Sequence, residues 1–352
     1  MGALTLTGLL PTIYNAMNTV SREQAGFIRA VGRDSGSERA AKGDTVRSPV
    51  VGAMTAEDLN VGAYAADTPA QTVNYVDMTI SKSRSVPFGI TGEENLSLTN
   101  AGTLGDINAQ RIAQSLRTLT NEMEADLAAL HINASRAYGT ATGTPFGSAG
   151  VLTDFAEARK ILEENGAPLG DLHMVLGSTS TARIRGIQST LFKVNEAGSD
   201  ELLRTGAMGN VQGFDLHYSG STKTAVTAGT GTSYTTTNAG FAVGVTSLPL
   251  ITGSGTVIAG DIVTFAGDTN EYVVKTGVAA PGTIVIQEPG LKVAMSAATK
   301  AMTIVAATTR NMFFHRGALQ LATRAPAMPD GGDSADDIMV VSDPVSGIGY
   351  EF

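Results

Sequence analysis

Residues 106–138, DINAQRIAQSLRTLTNEMEADLAALHINASRAY, carry the reading on which the rest of the chain turns. Ile112, Leu116, Leu119, Met123, Leu127 and Leu130 recur at intervals of 4, 3, 4, 4 and 3, with Leu104 and Ile107 ahead of them. That spacing places one apolar face along a single helix. Thr103 stands at the N-cap position and Gly139 just past the end. At 1.5 Å per residue the helix would run roughly 50 Å, longer than an ordinary compact domain is wide. Arg111, Arg117, Glu122, Glu124 and Asp126 exclude a bilayer span, and the sustained heptads of a long coiled coil are missing. The stretch reads as a lone spine helix bracing an elongated molecule.

Upstream, residues 46–90 read as extended β structure interrupted by an Ala- and Gly-containing excursion around 60–70. The clearest strand alternates Val73, Tyr75 and then Val76, Met78, Ile80. The apolar phase slips by one between Tyr75 and Val76, so a bulge or sharp twist is expected there. A two-stranded arm of ~45 residues buries too little apolar surface to stand alone. Residues 1–45 read as a second arm holding one amphipathic helix between loops. It opens with the capping box Ser21, Arg22, Glu23, Gln24, carries Phe27, Ile28 and Val31 on one face, and stops at Gly32. Within residues 1–50, Arg22, Arg29, Arg33, Arg39, Lys42 and Arg47 face Glu23, Asp34, Glu38 and Asp44, a balance of +2 that leaves -11 for the rest of a chain whose net charge is -9. So short a helix must lie on something else, its own body or a neighbour.

Downstream, the signals become those of an ordinary α/β domain. After a loop over 140–150, Thr153 caps a helix with Phe155, Ala158, Ile161 and Leu162, which ends at Asn165 and Gly166. Residues 172–176 make a buried strand, Ser178 or Ser180 opens another helix, Ser199 caps a third through Leu202 and Leu203, and 213–218 read as a strand. Composition changes near Ser221. No arginine occurs over 205–309, and short strands at 241–245, 262–265, 272–275 and 283–287 alternate with Gly, Asp, Asn and Pro turns. This is the pattern of a small inserted antiparallel β-domain. Residues 310–352 resume the earlier character, with Phe313, Phe314, Leu319 and Leu321, a Pro/Gly/Asp loop at 326–337 and a strand at 338–341.

Composition narrows the functional classes. The absence of cysteine removes thiolate metal sites, thiol nucleophiles and disulfides. The acidic balance argues against a protein that coats nucleic acid, which needs clustered Lys and Arg, yet allows one that merely surrounds it. No secretory leader or myristoylation signal is expected at residues 1–10, and no apolar run reaches the ~18 residues of a membrane helix. His131, His173, His217 and His315 are too scattered for a metal motif, and Asp330, Asp333, Asp336 and Asp337 do not follow the EF-hand spacing. Glu93-Glu94, placed at a strand end, and Glu163-Glu164, placed on a helix, are sequence neighbours that cannot face one another as acid and base. No catalytic residue, cofactor or metal is assigned, and an enzyme is not expected.

The order of arm, two-stranded arm, spine helix, α/β domain, inserted β-domain and return resembles the major capsid (coat) proteins of tailed bacteriophages, in the subfamily whose central domain carries an inserted β-barrel. The likeness covers nearly the whole chain. It is carried by GDTVRSPV at 43–50, the helix at 106–130, GAMGNVQGFD at 206–215 and NMFFHRGAL at 311–319. Family members usually continue past a segment like DPVSGIGY at 343–350 with another strand, whereas this sequence stops at Phe352, so either the last strand is abbreviated or the sequence is incomplete.

The resemblance implies an α+β fold: N-terminal arm 1–45, extended β loop and start of a peripheral domain 46–95, spine helix 96–138, axial domain 139–222, inserted antiparallel β-barrel-like domain 223–308, and a return over 309–352. It implies a structural subunit that assembles through pentamers and hexamers of identical copies into an icosahedral shell around double-stranded DNA bound without sequence preference. A scaffolding protein, a portal and a decoration protein are the further implied partners, with the virion capsid as location, assembly in the host cytoplasm and no membrane. Arms too thin to fold alone would lie across neighbours, which makes Phe27, Ile28, Val31, Tyr64, Val73, Tyr75 and Met78 the candidate inter-subunit contacts. An encapsulin-like compartment and a β-rich tail or adhesin component are the alternatives.

Overall fold

The computed structural model describes residues 6–19, 25–51, 73–102, 104–139, 143, 145–148, 151–187, 209–223, 225–328, 331–332, 338–343 and 346–352. Outside them lie the capping box at 21–24, the excursion at 60–70 with Tyr64, Thr103, the Ser199 helix, the segment 206–208 and Asp330, Asp333, Asp336 and Asp337.

In chain order the elements begin with α1 (Leu6–Thr19), α2 (Phe27–Ala30), β1 (Gly32–Ala40), β2 (Thr45–Val51), β3 (Val73–Thr79), α3 (Gly92–Ala101) and α4 (Leu104–Ala129). A 3-10 turn (Leu130–Asn133) leads to β4 (Arg136–Ala137), α5 (Thr153–Glu164), β5 (Leu172–Leu176), α6 (Ser178–Ile187), β6 (Asn210–Val211) and β7 (Phe214–Tyr218). Then follow β8 (Thr232–Thr236), β9 (Ser247–Ser254), β10 (Ile262–Phe265), β11 (Glu271–Thr276), β12 (Thr283–Ile286) and β13 (Met302–Ile304). The chain closes with β14 (Met312–His315), β15 (Gln320–Pro326), β16 (Val340–Ser342) and β17 (Gly349–Glu351). Residues 20–32 and 116–319 form one compact unit; residues 1–19, 33–115 and 320–352 form the other.

The first unit is built on two sheets. The central one runs β14-β5-β7-β6, with β5 and β7 parallel from Leu172↔Phe214 to Leu176↔Tyr218. All five residues of β5 are buried, as a strand covered on both faces requires. Phe155, Ala158, Leu172, Met174, Leu176, Ile184 and Phe214 make its core. Helix α5 stops at Asn165, and Gly166 follows in the left-handed region at φ 76°.

The second sheet runs β13-β10-β11-β12-β9-β8 and comes close to closing on itself through the bridge Thr235↔Ala301. Tyr234, Tyr272, Phe265, Leu248, Val263, Val274, Ile284 and Ile286 fill it. Gly253 sits at φ 109° against the Tyr234 ring, where an added Cβ would come within 2.6 Å of the ring, so the position takes only glycine. Residues 241–245, expected as a strand, make only the single bridge Phe241↔Met295.

This barrel-like sheet borrows a strand from elsewhere in the sequence. β4 pairs antiparallel with β11, Ala137 opposite Glu271 and Arg136 opposite Tyr272. The spine helix therefore ends at Ala129 rather than continuing to Tyr138. At 26 residues it spans about 39 Å. The reason is tertiary: Arg136, buried, reaches Glu164 of α5 and the Asn270 amide oxygen, and the strand pairing outweighs local helix propensity. Gln287 Nε2 donates to Ile132 O at 3.1 Å, and Lys292 Nζ to Glu164 O at 2.9 Å.

In the other unit β1 pairs with β15, β16 with β17 and β2 with β3. Arg324 holds Asp34 at 3.1 Å, and Arg39 holds Glu351 at 2.8 Å. Several expectations are corrected. Residues 6–19 form a helix despite Pro11, because Ile13, Ala16 and Met17 bury one face. The segment after Gly32 is a strand, not a loop. Glu93 and Glu94 open α3, where Thr91 and Glu94 close a capping box. The helix around Phe27 is one short turn preceded by Gly26.

Two outcomes test the junction. Arg136→Ala strands Glu164 and opens a buried site, so thermal unfolding should show a loss of about 2–4 kcal/mol. Burial pushes the Glu271 carboxyl up to about 7, against a partial pull from Arg310. The native state then holds a proton that the unfolded chain releases near 4.5, so this group's stabilisation is full below that value and is lost as pH rises toward 7. Denaturation midpoints of Glu271→Gln should lack that decline.

Candidate functional site

Strands β2 and β3 pair without interruption from Thr45↔Thr79 to Val51↔Val73. The expected bulge between Tyr75 and Val76 is not there. Alternation assigns the two residues to opposite faces, and each face has its own use for an apolar side chain. On one face Arg47 binds Asp77 through two hydrogen bonds, at 2.8 and 3.0 Å, and lies over the Tyr75 ring at 5.1 Å. On the other, Val46 and Val50 stand with Val76 and Met78. None of these four is buried: Val50 is 44% exposed and Val76 54%, while Tyr75 on the opposite face is 57% exposed.

The sequence-predicted contact residues separate into groups. Tyr75 and Met78 lie on this exposed hairpin, on opposite faces. Val73 ends the β3 ladder, its side chain outside the described residues, as is Tyr64. Phe27, Ile28 and Val31 differ from the hairpin residues in being buried within the single chain. Val46, Val50 and Val76 were missed as a set because the phase was read along β3 alone; pairing it against β2 would have found them.

What holds the Phe27 segment is Glu124, 2% exposed on the spine helix in the seam Ile112, Leu116, Thr120, Glu124, Leu127. Its carboxylate accepts the Ile28 N–H at 2.8 Å, the Phe27 N–H at 3.1 Å and the Ser219 hydroxyl at 2.8 Å. Burial pushes this carboxyl up, and the donors draw it back only in part. Gly26 lets the segment lie close, since a Cβ there would come within 2.6 Å of Tyr218 O. Removing the carboxylate leaves two amides and a hydroxyl buried without an acceptor. Glu124→Ala should therefore destabilise by about 3–5 kcal/mol in chemical denaturation, and Glu124→Gln, which keeps one acceptor, by less.

A second polar cluster lies on the central sheet. His173 Nδ1 is 3.0 Å from His217 Nε2, and His173 Nε2 is 2.9 Å from Asp171 Oδ1. Arg316 reaches both His173 Nε2 at 3.0 Å and Asp171 Oδ2 at 3.2 Å. Asp171 holds this position in the left-handed region at φ 59°, which aspartate tolerates. Among the described residues no group of three or more His, Cys, Asp or Glu could hold a metal ion, and no helix is long and apolar enough to cross a membrane.

No protein-family model matches the sequence, and no curated protein matches it. Among solved structures the chain is similar to that of Mycobacterium phage Che8, at 16% identity over 83% of this chain and 92% of that one, with a TM-score of 0.41. It is similar to the capsid structure of the cyanophage P-SCSP1u, at 14% identity over 87% and 90%, with a TM-score of 0.42. It is also similar to the mature capsid of bacteriophage PhiM1, at 12% identity over 86% and 88%, with a TM-score of 0.35. These are distant likenesses of nearly the whole chain.

Proposed function

We propose that this chain is a structural shell subunit, the major capsid protein of a tailed bacteriophage, assembling through pentamers and hexamers of identical copies into an icosahedral shell around double-stranded DNA. The observation that carries the reading is the β2–β3 hairpin, seven residue pairs in register with an apolar face that nothing in the described chain buries. A two-stranded ribbon of this kind is marginal alone in water. Cover from a neighbouring copy would bury Val46, Val50, Val76 and Met78, and each modest contact is multiplied by the number of copies in a closed shell. The sequence resemblance and the net charge of -9 agree with a wall that encloses DNA without gripping it. A scaffolding protein, a portal and a decoration protein belong to the same reading, with residues 223–308 as its inserted domain.

Val76→Asp tests it. The charge enters the apolar face while the monomer loses no buried contact, so its unfolding free energy should stay within about 0.5 kcal/mol of wild type. Electron microscopy and sedimentation should show closed shells for the wild type and small species for the variant. Normal shells from Val76→Asp would remove the hairpin from assembly, and a wild type that never associates would remove the whole reading. DNA rather than enclosed protein cargo inside the shells separates a capsid from an encapsulin-like compartment.

A further inference from the structure

The histidine pair of the central sheet has no part in assembly as described above, yet it lies under the segment that Glu124 anchors. Phe27 of α2 stacks on Phe314 at 6.4 Å and 7°, Phe314 meets His173 at 6.4 Å, and His173 meets His217 at 5.2 Å. One row of rings thus runs from α2 across β14 and β5 to β7. Two ring nitrogens 3.0 Å apart accommodate a single proton, one nitrogen donating and the other accepting. Two imidazolium rings would each present an N–H to the other. The pair in this geometry therefore carries one positive charge at most, whereas two histidines in water both charge as pH falls through about 6.5.

The surroundings add to that restriction. Arg316 stands against His173, and Arg29 of α2 and Arg316 both raise the positive potential at His217. His173 Nε2 either donates to Asp171 or accepts from Arg316, which are themselves paired, while Asp215 on β7 is the acidic group acting on His217. Glu124 is the ionisable group bonded to the first amides of α2.

We propose that the His173–His217 contact is a proton-operated latch: acid adds a proton to the ring nitrogen that accepts in this contact, the two facing N–H groups part, and the Phe27–Ala30 segment leaves the central sheet. The inference goes beyond the assembly reading and does not depend on it. Burial, and then His173, hold His217 below its ordinary value. Its contribution is thus present above the unfolded value of 6.5 and is lost as pH falls toward the native value. Glu124 has the opposite sign, since its raised value favours the proton in the docked state, so it opposes release rather than causing it.

Hydrogen exchange on the full-length protein reads the latch directly. Protection factors of the Phe27 and Ile28 amides, corrected for intrinsic rate, should fall by about tenfold per pH unit below about 6.5. The Val274 and Ile286 amides of the barrel-like sheet should keep theirs. His217→Gln can still hydrogen-bond His173 but takes no charge, and should hold Phe27 and Ile28 protected at about pH 5.5. His173→Gln makes the same comparison through the other ring, and Glu124→Gln should leave the acid loss in place. An unchanged wild type, an equal acid loss in both histidine variants, or a simultaneous loss at Val274 and Ile286 would each overturn the proposal.

Discussion

A carboxylate taken out of water has to find donors, and Glu124 finds them 95 to 97 residues away in both directions of the chain. The spine helix supplies the acceptor, the segment after Gly26 supplies two amides, and the residue after β7 supplies a hydroxyl. Each alone would be a defect: a buried charge, a short helix start with unfilled donors, and a buried serine. Together they satisfy one another, so the helix, the N-terminal segment and the central sheet become ordered as one event. The Phe27 ring then completes the packing by stacking on Phe314.

The β2–β3 hairpin presents the opposite case. Phe27, Ile28 and Val31 are interior because a buried carboxylate and the central sheet await them. Val50 and Val76 have the same chemistry and an intact strand ladder beneath them, but no covering layer among the described residues. Hydrophobic residues scattered singly on a surface need no explanation; four valine and methionine side chains on one face of a two-stranded ribbon do. Helix α3 has the same property, with no buried residue and Leu96 65% exposed, although ten isolated residues make a marginal helix.

Sequence periodicity reported what local rules govern and missed what distant partners decide. The 3.6-residue pattern through Ile112, Leu116 and Leu127 found α4 because all three side chains are buried on one face of the helix. Apolar runs bounded by turn residues found β5, β7, β10 and β11. The end of the spine helix was overshot by nine residues, since nothing between Leu130 and Tyr138 announces that Arg136 has partners at Glu164 and Asn270. Helix α3 was legible and was passed over: Thr91 with Glu94 three residues later is a capping box in plain sight. Tyr75 looked like a phase error only until Arg47 and Asp77 were placed beside it. Nothing in the helix pattern singles out Glu124, because a buried carboxylate is recognised by donors whose positions a single helix pattern cannot supply.

The borrowed strand bears on how far residues 223–308 can be treated as a separable module. β11 makes its ladder with β10 and β12 of the barrel-like sheet, but its first residues need β4, which comes from just after the spine helix. Tyr272 shows how tightly the two are joined: its backbone faces Arg136 across that ladder, while its hydroxyl donates to Asp268 at 2.7 Å and accepts the Lys292 N–H at 3.0 Å. Asn270, bonded to the same Asp268, accepts Arg136. One polar chain therefore runs from the interior of the barrel-like sheet through Arg136 to Glu164 on α5. Opening the barrel-like sheet would expose Arg136 and Glu164 along with it, so that sheet and the segment after the spine helix should unfold as one cooperative piece.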